Sequence, residues 1–188
     1  MKKDLGIVDA VYPMPVLMVA AYDENGKVNV MNAAWGMISA MDKISLFIGE
    51  DHKTTKNIRK TKAFTVSIAT KETMTEADYF GIASGNDTDD KFERTGFHAA
   101  KSTHVNAPII DEFPVCMECE LDEIIEGDNH DVIGKIVNVC ADESVLDENG
   151  HVDPLKMNTL VFDNFVNGYY VVGEKVGEAW NAGMPRMI

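Results

Sequence analysis

The chain has few cysteines, no long apolar segment and an interrupted N-terminal apolar run, and each shortage excludes a class of protein. Its 188 residues include only three cysteines, an odd number without regular spacing, which argues against a disulfide framework and favours a reducing cytoplasm. No stretch approaches the roughly 18 consecutive apolar residues of a membrane-spanning helix. The N-terminal run resembles a signal peptide, but Asp4, Asp9, Pro13 and Pro15 interrupt it, so it is a poor match to the apolar region of a signal peptide.

Positive charge is also scarce. The 17 Lys and Arg residues are outnumbered by 31 Asp and Glu residues, which gives a net charge of −14. Such a surface repels phosphate backbones and anionic membranes, so we expect neither nucleic acid nor a membrane as a partner. The length and the hydrophobic content of 45% suit a substantial core, and we expect a single domain over residues 1–188.

Signature motifs of nucleotide-dependent and metal-dependent enzymes are missing. The chain contains no G-x-G-x-x-G after a strand, no P-loop, no G-x-S-x-G and no H-E-x-x-H. Its five histidines show no ligand spacing. We therefore predict no metal site.

A C-x-x-C pair is present in the stretch VCMECELDEII, residues 115–125. It has three interpretations: a redox dithiol, half of a metal site, or a coincidence on a strand. Strand alternation places Met117 and Cys119 on an apolar face, and Cys116 and Glu118 on an acidic face. Thiols on opposite faces cannot easily form a disulfide. We therefore expect a buried, structural Cys119 and an inert Cys116 on the solvent side.

Short apolar runs separated by turn residues predict a mainly β fold. Asn25-Gly26 in DENG indicates a hairpin, and EGDN at 126–129 indicates another turn. Residues 98–108 read as irregular. Strands are predicted at 16–22, 28–31, 44–49, 63–69, 115–125, 130–140, 159–163 and 169–173, and helices at 53–62, 72–83 and 90–95. This order predicts a β-barrel with helical insertions, in the α+β class.

The segment EDHKTTKNIRK, residues 50–60, has the composition of an anion site at the start of a helix. Thr54 or Thr55 can cap this helix and leave its first amide groups free, and Lys53 adds a positive charge beside them. Free amides and the helix dipole favour an anion. An ordinary capped surface helix explains the same residues and is common, so both interpretations stay open on the residues alone.

Several segments, in a fixed order and spacing, resemble the flavin reductase-like family of FMN-binding split barrels, including the flavoredoxin type. The segments are DENGKVNVMNAAW, EDHKTTKNI, AFTVSIA, ASGNDTDDKFERTG, MECELDEIIEGDNHDVIGKIVNV and YYVVGEKVG. The resemblance covers roughly residues 15–183. It implies a split β-barrel, FMN as cofactor, and a homodimer with FMN at the subunit interface.

Three functions are compatible with this resemblance. The first is an NAD(P)H-dependent flavin oxidoreductase that passes a hydride to FMN and electrons onward. The second is a flavoredoxin-like electron carrier without nicotinamide activity. The third is a binding module without redox turnover. The expected partner is accordingly a nicotinamide nucleotide or a redox-partner protein.

The resemblance also implies roles for particular residues, which form three groups. The early flavin stretch would meet the ring edge, the helix start would hold the phosphate, and the later loop would lie near the ring or the ribityl chain. The groups are, in that order, Asn29, Asn32, Ala33, Ala34 and Trp35; His52, Lys53, Thr54, Thr55 and Asn57; and Ser84, Gly85 and Lys91.

Two of the implied roles leave alternatives open. His130 is the expected catalytic group near the nicotinamide or the flavin, and a hydrogen-bonded turn histidine is the alternative. Many family members have Ser or Thr where this chain has Ala33, Ala34 and Trp35, which implies more reliance on backbone N–H donors. Trp35 either shields the ring or fills the core.

Overall fold

The computed structural model describes residues 1–127 and 130–187, and twelve strands and two α-helices run through these residues. The strands are β1 (Met14–Pro15), β2 (Leu17–Tyr22), β3 (Val28–Ala33), β4 (Gly36–Ala40), β5 (Lys43–Phe47), β6 (Ala63–Ile68), β7 (Ala99–Lys101), β8 (Pro108–Ile110), β9 (Val115–Ile125), β10 (Asp131–Ala141), β11 (Leu160–Asp163) and β12 (Gly168–Val171). The helices are α1 (Lys53–Thr61) and α2 (Met74–Ile82). No helix in this part of the chain is long and apolar enough to cross a membrane.

Seven strands form one curled antiparallel sheet in the order β3-β2-β6-β9-β10-β5-β4. The predicted hairpin joins β2 to β3, and the Asp23 carboxylate accepts the N–H groups of Asn25 and Lys27 at 2.8 and 2.9 Å. A second sheet has the order β1-β11-β12, and β7 pairs with β8. The mainly β architecture with helical insertions is therefore confirmed.

The eight predicted strands and the two longer predicted helices all occur within two residues of their expected bounds. The predicted helix at 90–95 is a short 3-10 turn, Glu93–Thr95. The prediction that residues 98–108 are irregular was wrong, because β7 and the start of β8 form here. Thr65 in β6 fixes this pair to the main sheet by donating its hydroxyl to the Pro108 carbonyl at 2.6 Å. The turn predicted at 126–129 includes residues 128–129, which lie outside the described residues.

Strand β2 of the main sheet is buried on both faces. In β2, Leu17, Val19 and Ala21 pack into one apolar cluster. Val16, just before the strand, and Met18 and Ala20 pack into another. The first cluster, which we call the inner cluster, also includes Phe64 and Cys119. The second, which we call the outer cluster, includes aromatic rings from α2 and from the segment after it. Because neither face meets water, β2 reads as a continuous apolar run instead of an alternating one.

The expectation that Cys116 faces solvent was wrong, whereas the buried Cys119 is confirmed. Cys116 is only 1% exposed, because Ile109, Phe113 and neighbouring residues cover the second face of β9. Burial raises the pKa of the Cys116 thiol and that of the Cys119 thiol to about 12. All three cysteines are free.

The acidic residue beside Cys116 is buried with it. Glu118 is 1% exposed. Its carboxylate accepts the Ser102 hydroxyl and the Asn138 amide, the latter at 2.6 Å. The two hydrogen bonds replace the contacts with water that a solvent-exposed Glu118 would have. The prediction that Glu118 faces solvent was therefore wrong.

Candidate functional site

A cavity of about 190 Å³ lies between β3, the first turn of α1, the last turn of α2 and the loop that follows α2. Eight of the residues predicted to bind a cofactor line it: Asn29, Asn32, His52, Lys53, Thr54, Ser84, Gly85 and Lys91. The structure thus brings together side chains from three segments that are up to 62 positions apart in the chain (29 to 91). We refer to this cavity as the α1 pocket.

The first turn of α1 presents free amide groups at the α1 pocket. The helix begins at Lys53 after His52, and its first internal bond runs from the Lys56 N–H to the His52 carbonyl at 3.1 Å. Within the described residues, the N–H groups of Lys53, Thr54 and Thr55 have no hydrogen-bond partner. Such a helix end binds anions through its amides and its dipole.

The prediction that Thr54 or Thr55 caps α1 was wrong. Both residues lie inside the first turn, and no side chain caps the helix. The Thr54 hydroxyl instead accepts the Asn29 amide at 2.7 Å, and the Thr55 hydroxyl donates to the Gly49 carbonyl at 2.7 Å. Because their hydroxyls are used elsewhere, the helix end stays open to an external acceptor.

Positive charge and a tethered loop complete this end of the pocket. The Lys53 amine lies 3.9 Å from an Asp23 carboxylate oxygen. Burial alone would raise the pKa of Asp23, but the backbone N–H donors and Lys53 hold it below its ordinary value. Asn86 accepts the Lys56 amine at 3.2 Å and donates to the Asp51 carbonyl at 2.9 Å. These bonds hold the loop after α2 against the start of α1.

Lys91 supplies a second cation to the lining of the α1 pocket. It is 5% exposed, and its amine donates to the Phe80 carbonyl at 2.9 Å and lies 5.8 Å from the centre of the Phe80 ring. Burial lowers the pKa of the Lys91 amine to about 8. Among the described residues it forms no ion pair with a carboxylate. A buried cation without a counter-ion is well placed to receive an anion.

Gly85 allows close approach of the loop to β3. A Cβ atom at this position would overlap the Asn29 carboxamide oxygen and come within 3.2 Å of the Lys53 Cβ. Any larger residue would therefore push apart Asn29 and Lys53, two residues of the pocket wall.

Five residues of the pocket wall were not predicted: Met31, Phe80, Gly81, Ile82 and Ala83. Four of them belong to the C-terminal end of α2 or follow it directly. A signal was available in the sequence, because Ser84 and Gly85 follow this helix at once. Because Ser84 and Gly85 line the pocket, the end of α2 directly before them is expected to line it as well.

Other predicted residues lie outside the α1 pocket. Ala33 packs in the inner core, and Thr55 and Asn57 are buried on the inner face of α1. The Asn57 side-chain amide nitrogen has no hydrogen-bond partner in the described structure. Ala34 follows β3 directly and is half-buried. The roles that the resemblance implies for these residues stay predictions.

Trp35 is not a core residue. It is 49% exposed and lines a separate apolar trough of about 760 Å³. The trough is also lined by Met37, Ile38 and Phe47, whose side chains are largely exposed, at the sheet edge formed by β4. Since β3 runs from Asn29 in the α1 pocket to Ala33, just before Trp35, one strand connects the two sites.

His130 lies away from both cavities, at the start of β10. Its backbone carbonyl accepts the Ile48 N–H at 3.1 Å, and its imidazole faces the carboxylates of Glu50 and Glu126. Its Nε2 contacts a Glu126 carboxylate oxygen but has no hydrogen bond of good geometry among the described residues, so the alternative of a hydrogen-bonded turn histidine stays a prediction. Its catalytic role stays a prediction.

Comparison with known proteins identifies the family of this chain and solved structures that are similar to it. The family model described as flavin reductase like domain matches residues 9–165. The flavoredoxin of Desulfovibrio vulgaris (Miyazaki F) is 36% identical and superposes with a TM-score of 0.93 over 97% of this chain and 100% of that one. A flavoredoxin from Methanosarcina acetivorans is 27% identical, with a TM-score of 0.89 over 99% and 100% of the two chains.

More distant matches agree on the fold. A Shewanella frigidimarina protein with a split barrel domain is 20% identical and superposes with a TM-score of 0.78 over 88% of this chain and 84% of that one, which confirms the split barrel. An uncharacterized protein of Aeropyrum pernix is 26% identical over 123 residues, or 64% of this chain. The match spans 46%, less than half, of that relative's length.

Proposed function

The chain belongs to the flavin reductase-like domain family, and from this premise we propose that it binds FMN and works as an NAD(P)H-dependent flavin oxidoreductase. The observation that carries the proposal is the open first turn of α1 beside Lys53, in a pocket also lined by Lys91. In a protein with a net charge of −14, two lysines that line one cavity, next to a helix start with three free amides, indicate an anionic ligand.

The residues of the α1 pocket fit the phosphate end of FMN. The free N–H groups at the start of α1 donate to phosphate oxygens, and Lys53 supplies the opposite charge. Cofactor pockets usually enclose about 300–1,000 Å³, so a cavity of about 190 Å³ encloses only part of FMN. We assign the phosphate and ribityl chain to the α1 pocket and the ring to the Trp35 end of β3.

FMN, when bound, supplies the redox chemistry, taking reducing equivalents from a nicotinamide nucleotide and passing electrons onward. The protein contributes position and charge. Asn29, oriented by its bond to Thr54, and Asn32, whose amide donates to the Ala77 carbonyl at 3.0 Å, are held in fixed rotamers at the strand. Lys91 contributes positive charge to the same cavity, which favours a ligand that gains negative charge.

We further propose a homodimer as the working form. The apolar trough at the β4 edge is rimmed by Trp35, Met37, Ile38 and Phe47, each 43–67% exposed. Contiguous apolar surface at an open sheet edge is typical of an interface. A second copy at this edge would also bury Trp35, beside the strand that we assign to the ring.

The three free cysteines support a cytoplasmic location.

A second candidate function is supported by the acidic surface. A net charge of −14 suits an electron carrier that docks a basic redox protein and needs no nicotinamide. The relatives named as flavoredoxins agree with this alternative. Both functions share the FMN site and differ in the electron donor.

The visible spectrum of the purified protein tests both functions. FMN is added, free flavin is removed by gel filtration, and NADH or NADPH is then added without oxygen. Retained flavin that bleaches with a nicotinamide nucleotide supports the oxidoreductase. Retained flavin that bleaches only with a protein donor or dithionite supports the carrier, and failure to retain flavin contradicts the FMN site.

A further inference from the structure

Three side chains with metal-binding atoms converge outside the α1 pocket. Glu50 comes from the loop between β5 and α1, Glu126 follows β9, and His130 precedes β10. One ligand atom from each lies within 4.8 Å of the other two. Because the three residues come from two separate loops, the fold and not sequence proximity brings Glu50 to the others.

His130 is the unusual member of this cluster. Its side chain is only 9% exposed, and Nε2 lies 3.5 Å from a Glu50 oxygen and in contact with a Glu126 oxygen. Nevertheless, Nε2 has no hydrogen bond of acceptable geometry in the described part of the chain. A buried polar atom whose contacts lack hydrogen-bond geometry is poorly satisfied, and here it is aimed at two carboxylates.

We propose that Glu50, Glu126 and His130 bind a divalent first-row transition metal such as Zn²⁺. Two carboxylate oxygens and an imidazole nitrogen are suitable Zn²⁺ ligands, and three protein ligands leave one position for water. The metal would occupy the space between the three atoms and satisfy Nε2. The Glu50 and Glu126 side chains are 71% and 59% exposed, so they can rotate to shorten the distances to the ion.

The surroundings of the cluster support a metal ligand role. The other oxygen of Glu126 accepts the Arg59 guanidinium at 2.8 Å, and the Ile48 N–H fixes the His130 backbone at 3.1 Å. Outer partners of this kind orient carboxylate and imidazole ligands in metal sites. The ion would tie the β9–β10 hairpin to the loop that enters α1, three residues before Lys53. None of the three residues lines the α1 pocket.

Titration of the flavin-free full-length protein with Co²⁺ and Zn²⁺ tests the site. The protein is first treated with chelator and held at about 0.2 M salt to suppress loose binding by surface carboxylates. Co²⁺ absorption and calorimetry report binding. We expect one equivalent to bind, and Zn²⁺ to displace Co²⁺.

Two variants make the test specific. Glu50→Gln removes one ligand oxygen from an exposed side chain, which preserves folding, and we expect at least about a tenfold loss of affinity. Glu112→Gln is the matched control, because Glu112 also contacts a histidine, His98 at 2.9 Å, outside the cluster. No stoichiometric binding, or equal losses in both variants, would overturn the proposal.

Discussion

At the scale of single residues, Lys91 combines a charge with nearly complete burial. Its amine has a backbone carbonyl as partner and, in the described structure, no carboxylate. The family resemblance implied that Lys91 lies near the flavin ring or the ribityl chain. It did not predict the burial, which depends on α2 and on aromatic rings distant in the chain.

Lys91 makes stability depend on pH in a defined direction. Its pKa is about 8 in the folded protein, against 10.5 for an exposed lysine. Between these values the unfolded chain binds more protons, so this residue makes the free energy of unfolding rise as the pH rises. We expect the free energy of unfolding of wild type, relative to that of Lys91→Met, to rise by about 1–3 kcal/mol between pH 7 and pH 10. Urea unfolding of both proteins at each pH measures this, and a pH-independent difference would refute it.

The three thiols differ in access. Cys116 and Cys119 are buried, and burial raises the pKa of each to about 12, whereas Cys140 is half-buried. Since the thiolate is the reactive form, we expect a disulfide reagent to label about one thiol in the native protein and all three after unfolding. Cys140→Ser should abolish the native reaction. Rapid native labelling of two thiols would show that one face of β9 is open.

At the scale of elements, the strands and helices could be predicted because their signals are local. Asn25-Gly26 specifies the hairpin, apolar and β-branched runs mark β2 and β6, and alternation marks β9. The strand β4 was missed because its residues, GMISA, are mostly exposed and show no alternation. The β7–β8 pair was missed because it is held by contacts to β6, such as the bond from Thr65, which no local pattern reveals.

Gly134 fixes the packing of β10 against the inner core. A Cβ atom here would overlap the Phe64 ring and lie 3.2 Å from the Cys119 Cβ. Both neighbours are fully buried and cannot retreat. We expect Gly134→Ala to lower the free energy of unfolding by about 1–3 kcal/mol.

A matched glycine controls for the change in backbone entropy. A Cβ atom at Gly173 would meet nothing within 4 Å, so we expect Gly173→Ala to change stability by less than about 1 kcal/mol. Urea unfolding compares the two variants. Equal effects would mean that Gly134 is not in tight contact with Phe64.

At the scale of the whole molecule, the order of apolar runs and turn residues predicted the fold class but not the second buried face of β9. Alternation on β9 assigned Cys116 and Glu118 to solvent. Residues 102–113, which precede β9 in the chain, fold back over that face and supply a hydroxyl donor from Ser102. The helix start that forms one wall of the candidate site could be predicted from EDHKTTKNIRK, although the expected threonine cap is absent. The α2 wall required the tertiary structure.

The dimer proposal predicts a solution mass of twice the 20.7 kDa chain. Ile38 is 56% exposed in the apolar trough, so Ile38→Glu costs little in a monomer but places a charge in a buried interface. We expect it to dissociate the dimer in sedimentation velocity. Leu155→Glu, at a residue 44% exposed outside the trough, should not. A monomeric wild type, or a dimeric Ile38→Glu variant, would contradict the interface.

The most direct test of the FMN site compares the affinities of FMN and riboflavin, which differ only in the phosphate, for wild type and Lys53→Ala. We expect the variant to lose about tenfold or more in FMN affinity and to bind riboflavin within about twofold of wild type. Lys60→Ala, which removes an exposed lysine paired with Glu24 at 2.5 Å, should change neither affinity. Equal losses for both flavins in Lys53→Ala would show that the phosphate binds elsewhere.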